Sequence, residues 1–305
     1  MQHRYLYTIN AHNFSSKGEG TKDKLQGKPP YRIKTVIIDP GHGGFDPGTH
    51  GIYTLEKDLV LSVGKKLRDL LAEKYPQIKV IMTRDKDIFI PLYQRAKIAN
   101  DANADLFISI HANFMPKSSV THGTETYVMG LHTAEYNLEV AKRENAAILL
   151  EENYKNNYDY DPNSPEGHIL FSMYQNAYLN QSIQFGQFVE NQYVSHANRK
   201  SRGVKQAGLV VLKATSMPSV LLEIGFLSNR EEENYLKTDN GKQKIAESIF
   251  NGFTEYKKKI EQLPETVAEV TNKPTSNPKE PIYQFWIQIA ATPNPISKTS
   301  TSLSL

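Results

Sequence analysis

Four side chains able to hold a metal ion or move a proton stand out by where they fall. "TVIIDPGH" ends an apolar run at His42, "LFISIH" ends another at His111, and "SVLLEIG" carries Glu223. The fourth, Glu56, opens an amphipathic stretch just after the glycine-rich loop "GHGGFDPG". A core histidine would sit inside its apolar run. His42 comes just past the end of one, where side chains leave a sheet. In open α/β sheets, ligands bind outside the carboxyl ends of the strands, because the loops converge there. Two imidazoles and one carboxylate are a common ligand set for a catalytic zinc, with one position left for water. A second carboxylate that does not bind metal then takes a proton from the attacking water and returns it to a leaving amine. Glu223 is the candidate, because a glutamate inside "VLLEIGF" is costly to bury without a task or a partner.

Each residue also has a plainer explanation, which residue type alone leaves open. Glu56 at a helix start is favoured by the helix dipole. His42 could be a turn residue, and His111 a hydrogen-bonded core histidine. Glu223 could pair with a buried arginine such as Arg84 or Arg95. No compact HExxH stretch exists, so spacing by itself is weak; the joint occurrence at strand ends favours a site. His50, close to Glu56, is the runner-up ligand. His122, His132, His168 and His196 lie in polar contexts and read as surface residues. Asp39 and Asp46 flank the loop and read as fixing it by Asx-type hydrogen bonds. The loop glycines let the chain fold back so that Glu56 faces His42.

The elements that must position these groups alternate. "TVIID", "IKVIMTR", "DLFISIHAN" and "GTETYVMG" read as strands. "EKDLVLSVGKKLRDLLAEKY" reads as a helix with Leu59, Val60, Val63, Leu67, Leu70 and Leu71 on one face, and "IPLYQRAKIANDANA" as a helix opened by Pro91. A helical stretch near 176–196 is followed by the apolar segments "GLVVLKA" and "SVLLEIGFLSN". A closing helix from about Gly241 to Glu261 has Ile245, Ile249, Phe253, Tyr256 and Ile260 as its stripe. The alternation predicts an α/β fold, a mostly parallel sheet flanked by helices on both faces.

Residues 1–31 read as a flexible lead-in, 32–262 as the catalytic domain, 263–281 as a linker, and 282–305 as a strand-like fragment with a polar tail. Among 305 residues the net charge is only +3, which points away from nucleic acid. There is no cysteine, so disulfides, thiolate metal sites and a cysteine nucleophile are excluded. No run approaches the ~20 apolar residues of a membrane span, and "MQHRYLYTINAHNF" lacks the apolar core of a signal peptide.

The motifs "IIDPGHGGFDPG", "EKDLVLSVGKKL", "TRDKDIFIPLYQRAKIAN", "LFISIHAN", "GTETYV" and "SVLLEIGFLSN" occur in an order that resembles the zinc-dependent N-acetylmuramoyl-L-alanine amidases of the Amidase_3 type, over about Lys34 to Lys259. The resemblance implies cleavage of the amide between the lactyl group of N-acetylmuramic acid and L-alanine of the peptidoglycan stem peptide, in the periplasm or at the envelope. It implies zinc on His42, Glu56 and His111, with Glu223 as the catalytic glutamate. Asn113 sits where it could orient His111 or touch substrate. "YQFWIQIAA" is similar to the first strand of a sporulation-related repeat domain. Alternatives from other classes are a zinc peptidase acting on the stem peptide and a non-catalytic wall-binding module.

About 131–175 form an insertion between a strand and a helix, far longer than the ~2–6 residues such connections need. "AEYNLEVAKRENAAILLEENY" has helical spacing, and the stretch is rich in carboxylates: Glu144, Glu151, Glu152, Asp159, Asp161 and Glu166. Some relatives in the resembled family carry an inhibitory insertion here that a partner protein displaces. A carboxylate can fill the open position of a three-ligand zinc. Glu151, Glu152 and Glu166 are the regulatory candidates.

Overall fold

The computed structural model describes residues 31–131, 135–152, 154–158 and 177–262, all within the unit Pro29–Glu265. The expected lead-in, the linker and the strand-like fragment lie outside these residues, except Tyr31 and the ends of the domain.

The apolar run "TVIIDP" becomes β1 (Thr35–Pro40), buried along its whole length. Such a run has no wet face, which is how a strand covered on both sides reads. It is followed by α1 (Glu56–Lys74), whose stripe Leu59, Val60, Val63, Leu67 and Leu71 is buried. Each such side chain contributes about 1.5–3 kcal/mol when fully removed from water. Then come β2 (Lys79–Met82), α2 (Leu92–Asp101), β3 (Leu106–Asn113) and β4 (Thr124–Met129). The insertion supplies α3 (Glu135–Asn145), a 3-10 turn (Ala146–Leu150) and α4 (Tyr154–Asn157). The chain continues through α5 (Leu179–Ser195), β5 (Ser201–Ala207), α6 (Val210–Lys213), β6 (Ser219–Phe226), α7 (Arg230–Leu236) and α8 (Asp239–Gln262).

The six strands form one sheet in the order β2-β1-β3-β6-β4-β5. All neighbouring pairs are parallel except β4 with β6. One face packs against α1, α5 and α8 through Val36, Ile38, Ile108, Phe185, Ile249 and Phe253. The other packs against α2, α3 and α6 through Ile37, Phe107, Ala99, Val140 and Leu212. The α/β sheet with helices on both faces is as the alternation of elements predicts.

The apolar segment "GLVVLKA" holds a helical turn, Val210–Lys213, packed on the sheet face. The strand in that region is the polar "SRGVKQA" of β5, which among the described residues pairs only with β4 and is half-buried. An edge strand needs no apolar run, so neither alternation nor apolarity betrays it.

Candidate metal centre and active site

Parallel pairing of β1, β3 and β6 brings their carboxyl ends to one edge of the sheet. Pro40 pairs with Ile110, and His111 pairs directly with Glu223. A register shift between His111 and Asn113 marks a bulge, a device that re-aims side chains beside a site. Beyond β1 the chain turns at His42, which holds a left-handed φ of 58° between Gly41 and Gly43. That conformation costs a non-glycine residue on the order of 1–3 kcal/mol. Close approach explains two of the glycines. A Cβ on Gly41 would lie 2.3 Å from the His111 ring, and one on Gly48 would lie 2.6 Å from both Glu56 and His42.

Two buried arginines hold the loop. Arg95 donates to Asp39 at 2.9 Å, to the Pro40 carbonyl at 2.8 Å and to the His42 carbonyl at 2.8 Å. Arg84 donates to the Pro40, Gly41 and Lys57 carbonyls at 3.0, 2.7 and 2.8 Å. These carbonyls, at the end of β1, in the bend beyond it and in the first turn of α1, are satisfied by the guanidinium groups. Arg84 and Arg95 therefore serve the loop and not Glu223. Asp39 also differs from its expected turn role. It is buried in β1, takes hydrogen bonds from Thr83 at 2.6 Å and Ser109 at 2.8 Å, and neutralises Arg95. Asp46 does fix the loop: it accepts from Gly48 N at 3.1 Å and bonds His42 Nδ1 at 2.8 Å.

The Asp46 contact leaves His42 Nε2 as the free ring atom, the way a carboxylate orients a metal-binding imidazole. Glu56 enters from the start of α1, anchored by Ala112 N at 2.8 Å and Thr49 N at 2.7 Å. The structure brings His42, Glu56, His111 and Glu144 together, with ligand atoms all within 4.8 Å of one another. His42 Nε2 lies 3.3 Å from Glu56 and 3.4 Å from Glu144; His111 Nδ1 lies 3.1 Å from Glu56 and 2.9 Å from Glu144. Ligands at the bond lengths of a tetrahedral zinc stand about 3.3 Å apart. His42 Nε2 and Glu144 Oε2 are buried without a hydrogen-bond partner, as ligand atoms are. The donor set and its spacing fit a divalent metal. His50, the runner-up, lies outside this cluster.

Charge coupling in the cluster is strong. Burial disfavours the His42 imidazolium, but the Glu56 charge, the bond to Asp46 and the nearby Glu144 carboxylate carry it well above its ordinary value. His111 is pushed up to about 9, burial being outweighed by Glu144 and Glu56. The carboxyls respond in reverse: burial would raise Glu56 and Glu144, yet the imidazoles hold both well below the carboxylate range. Glu223 moves the other way. Burial and the Glu144 charge raise it well above its usual value, and Arg143 offsets only part of that. It is fully buried beside His111, one oxygen without a partner, and is not among the metal-binding set. A carboxyl whose proton is favoured in this way suits the role of general acid and base.

The regulatory candidates fall elsewhere. Glu151 accepts from Leu92 N at 2.8 Å and from Tyr158, capping α2. Its burial is used up in that contact. Glu152 is exposed, and Glu166 lies outside the described residues. Among the described residues, the insertion's carboxylate at the cluster is Glu144, from the last turn of α3. Its neighbour Arg143 donates to Glu223 at 3.4 Å, to Asn113 Oδ1 at 3.0 Å and to the Phe114 carbonyl at 3.1 Å. Nothing local marked this pair, since "KREN" reads as a solvated helix face. Outside it, a cleft of about 500 Å³ is lined by His42, Thr49, His50, Phe114, Leu149 and Leu150.

The family described as N-acetylmuramoyl-L-alanine amidase, Amidase_3, matches residues 36–255. The chain is 40% identical over 226 residues to N-acetylmuramoyl-L-alanine amidase AmiC of Escherichia coli O6:H1, covering 72% of this chain and 52% of that protein. It is 35% identical over 228 residues to AmiA of Salmonella typhimurium, covering 73% of this chain and 76% of that one. It thus spans about half the length of the AmiC relative. Among solved structures, an N-acetylmuramoyl-L-alanine amidase from Clostridium difficile 630 superposes with a TM-score of 0.54 at 29% identity, covering 74% of this chain and 97% of that one. The catalytic domain of CwlV from Bacillus (Paenibacillus) polymyxa var. colistinus gives 0.51 at 30% identity, covering 73% and 98%. Sheet, strand-end site and sequence agree: the chain belongs to the Amidase_3 family of N-acetylmuramoyl-L-alanine amidases.

Proposed function

We propose that this protein is a zinc-dependent hydrolase that cuts the amide joining the lactyl group of N-acetylmuramic acid to L-alanine of the stem peptide, and that its own insertion restrains it. The observation that carries the reading is the cluster of His42, Glu56 and His111 beside a buried, non-ligating Glu223 at the carboxyl edge of the sheet. Two imidazoles and a carboxylate suit zinc, which supplies Lewis acidity and activates water near neutral pH. Asp46 holds the His42 ring in the binding tautomer, and the arginine-clamped loop fixes its backbone. Glu223 takes a proton from the attacking water and delivers it to the departing nitrogen. The amide and one water become a lactyl carboxylate and a free amine.

Restraint rests on Glu144, whose carboxylate lies where a fourth ligand belongs. Release needs α3 to withdraw. Val140, Ala141 and Ile148 are buried in the second core, so withdrawal costs enough to call for a partner protein. The substrate places the protein in the periplasm or at the envelope. Among the described residues no helix is long and apolar enough to cross a membrane.

Digestion of purified peptidoglycan, with mass analysis of the fragments, tests the reading. Peptides with a free L-alanine amine and glycan with an intact lactyl carboxylate are expected. Cuts between amino acids of the stem peptide, or no release by the activated protein, would overturn it.

A further inference from the structure

The Arg143–Glu144 pair of α3 fills the site in a particular polarity. The Glu144 carboxylate lies at the metal-binding cluster, while the Arg143 guanidinium lies against the base, and the two bond each other at 3.0 Å. One guanidinium nitrogen bridges Asn113 Oδ1 at 3.0 Å and Glu223 Oε1 at 3.4 Å, and the other terminal nitrogen reaches the Phe114 carbonyl at 3.1 Å. Amide hydrolysis ends in that same polarity: a new carboxylate on the electrophile side and a new ammonium beside the group that delivered the proton. Asn113 Oδ1 and Glu223 Oε1 converge on one nitrogen position and the Phe114 carbonyl serves the adjacent one; all three are acceptors, which suits a group that is all donor, as an ammonium is.

Resting on the amidase reading above, we infer that Asn113 Oδ1, the Phe114 carbonyl and Glu223 Oε1 form the seat of the leaving amine, that Glu125 is a positioning residue which orients Asn113 for it, and that Arg143–Glu144 occupies the site as a mimic of the two products.

The orientation of Asn113 follows from its partners. Its Oδ1 receives Phe114 N at 2.7 Å and the Arg143 guanidinium, and both are donors only. Its Nδ2 faces Glu125 Oε2 at 3.1 Å and Tyr136 Oη at 3.0 Å. Glu125 stands on β4 in direct register with Glu223. Its other oxygen is held by Arg202 Nε and Lys205 Nζ, each at 2.6 Å. Burial works against its charge, but those two cations lower its pKa, so it stays ionised and can only accept. An acceptor-only neighbour forces the Asn113 amide to turn its NH2 away from the site and its oxygen towards it. In Glu125→Gln the two cations would claim the glutamine oxygen, because they too are donors only. The glutamine NH2 would then face Asn113, which must flip and present a donor to the incoming amine. The hydroxyls of Tyr127 and Tyr136 can rotate to accept and leave the fold intact.

The test uses the full chain carrying Arg143→Ala and Glu144→Gln, loaded with zinc, so that the seat is empty. Inhibition of peptidoglycan digestion is measured for L-alaninamide and for N-acetyl-L-alaninamide. The free amine should inhibit at least tenfold more strongly than the acetylated form. Adding Glu125→Gln or Asn113→Leu should bring that ratio close to one, with zinc content and circular dichroism unchanged. Glu125→Asp, which keeps an acceptor-only group, should restore part of the ratio. A merely structural role for Glu125 would lower stability and leave the ratio alone. Equal inhibition by the two probes in the starting variant, or a tenfold ratio that survives Glu125→Gln, would overturn the inference. Because the fragments released from the wall are read separately, a failed amine preference with the lactyl amide still cut rejects this inference and leaves the amidase reading standing.

Discussion

Replacing Glu144 by Gln should switch the enzyme on, and the size of the effect can be worked from its contacts. The carboxylate is buried, 2.9 Å from His111, 3.4 Å from His42 and 3.0 Å from Arg143. Removing one partner from a buried charged contact costs about 3–5 kcal/mol. Glutamine keeps the shape and one acceptor oxygen, so we take the lower end. At 1.36 kcal/mol per factor of ten, ~3 kcal/mol multiplies the withdrawn population of α3 by roughly 10². The rest of the insertion still holds: Asn145 bonds the Gly208 carbonyl and Val210 N, and Tyr136 bonds Glu125. The covered state therefore stays dominant, and basal activity rises roughly 10²-fold without reaching full rate. Point substitution is a cleaner perturbation than excising the insertion, which would strip Val140, Ala141 and Ile148 from the core. The assay is release of dye-labelled fragments from purified peptidoglycan, with metal content measured on the same sample. A folded, metal-loaded Glu144→Gln protein no faster than its parent refutes the argument. So does loss of the metal, which would make Glu144 a permanent ligand.

Glu223→Gln, in the Glu144→Gln background, should keep its metal and lose activity by ~10²-fold or more, because shape remains and the proton carrier is gone; steady-state rates with metal analysis check this. Asp46→Ala frees the His42 ring to turn, and metal affinity should fall about 10–100-fold in a competition titration with a chelator. Asp39→Ala leaves Arg95 buried without its counter-ion and should cost about 3–5 kcal/mol in denaturant melts. In the parent, Arg95, Thr83 and Ser109 outweigh burial and hold the Asp39 pKa below its unfolded value of 3.8. Its contribution is then present above that value and lost as pH falls through the lower folded one. The stability gap between parent and Asp39→Ala should accordingly narrow on acidification below about pH 4.

What sequence alone determined was local. Buried parallel strands need apolar runs on both faces, so β1, β3 and β6 were visible as such, and with them the chemistry-bearing residues at their ends, His42, His111 and Glu223. Glu56 was visible because a helix begins directly after the glycine loop. The tertiary structure decided which of the many charged residues meet. Sequence offers Arg84 and Arg95 as buried partners for Glu223, yet in the structure they donate to carbonyls of the bend after β1. Asp39 reads as a turn residue in sequence because its partners Ser109 and Arg95 come from β3 and α2, far along the chain. The polar β5 was hidden because it sits at the sheet edge, where solvent satisfies what a neighbour strand would. In the insertion, composition offers many carboxylates, and sequence reasoning favours Glu151, Glu152 and Glu166 over Glu144. Glu144 is set apart only because Val140, Ala141 and Ile148 dock α3 on the sheet face beside the strand ends, which aims its last turn into the site. Periodicity reports which side of an element is buried; what that side meets depends on sheet order and register, which no local pattern contains.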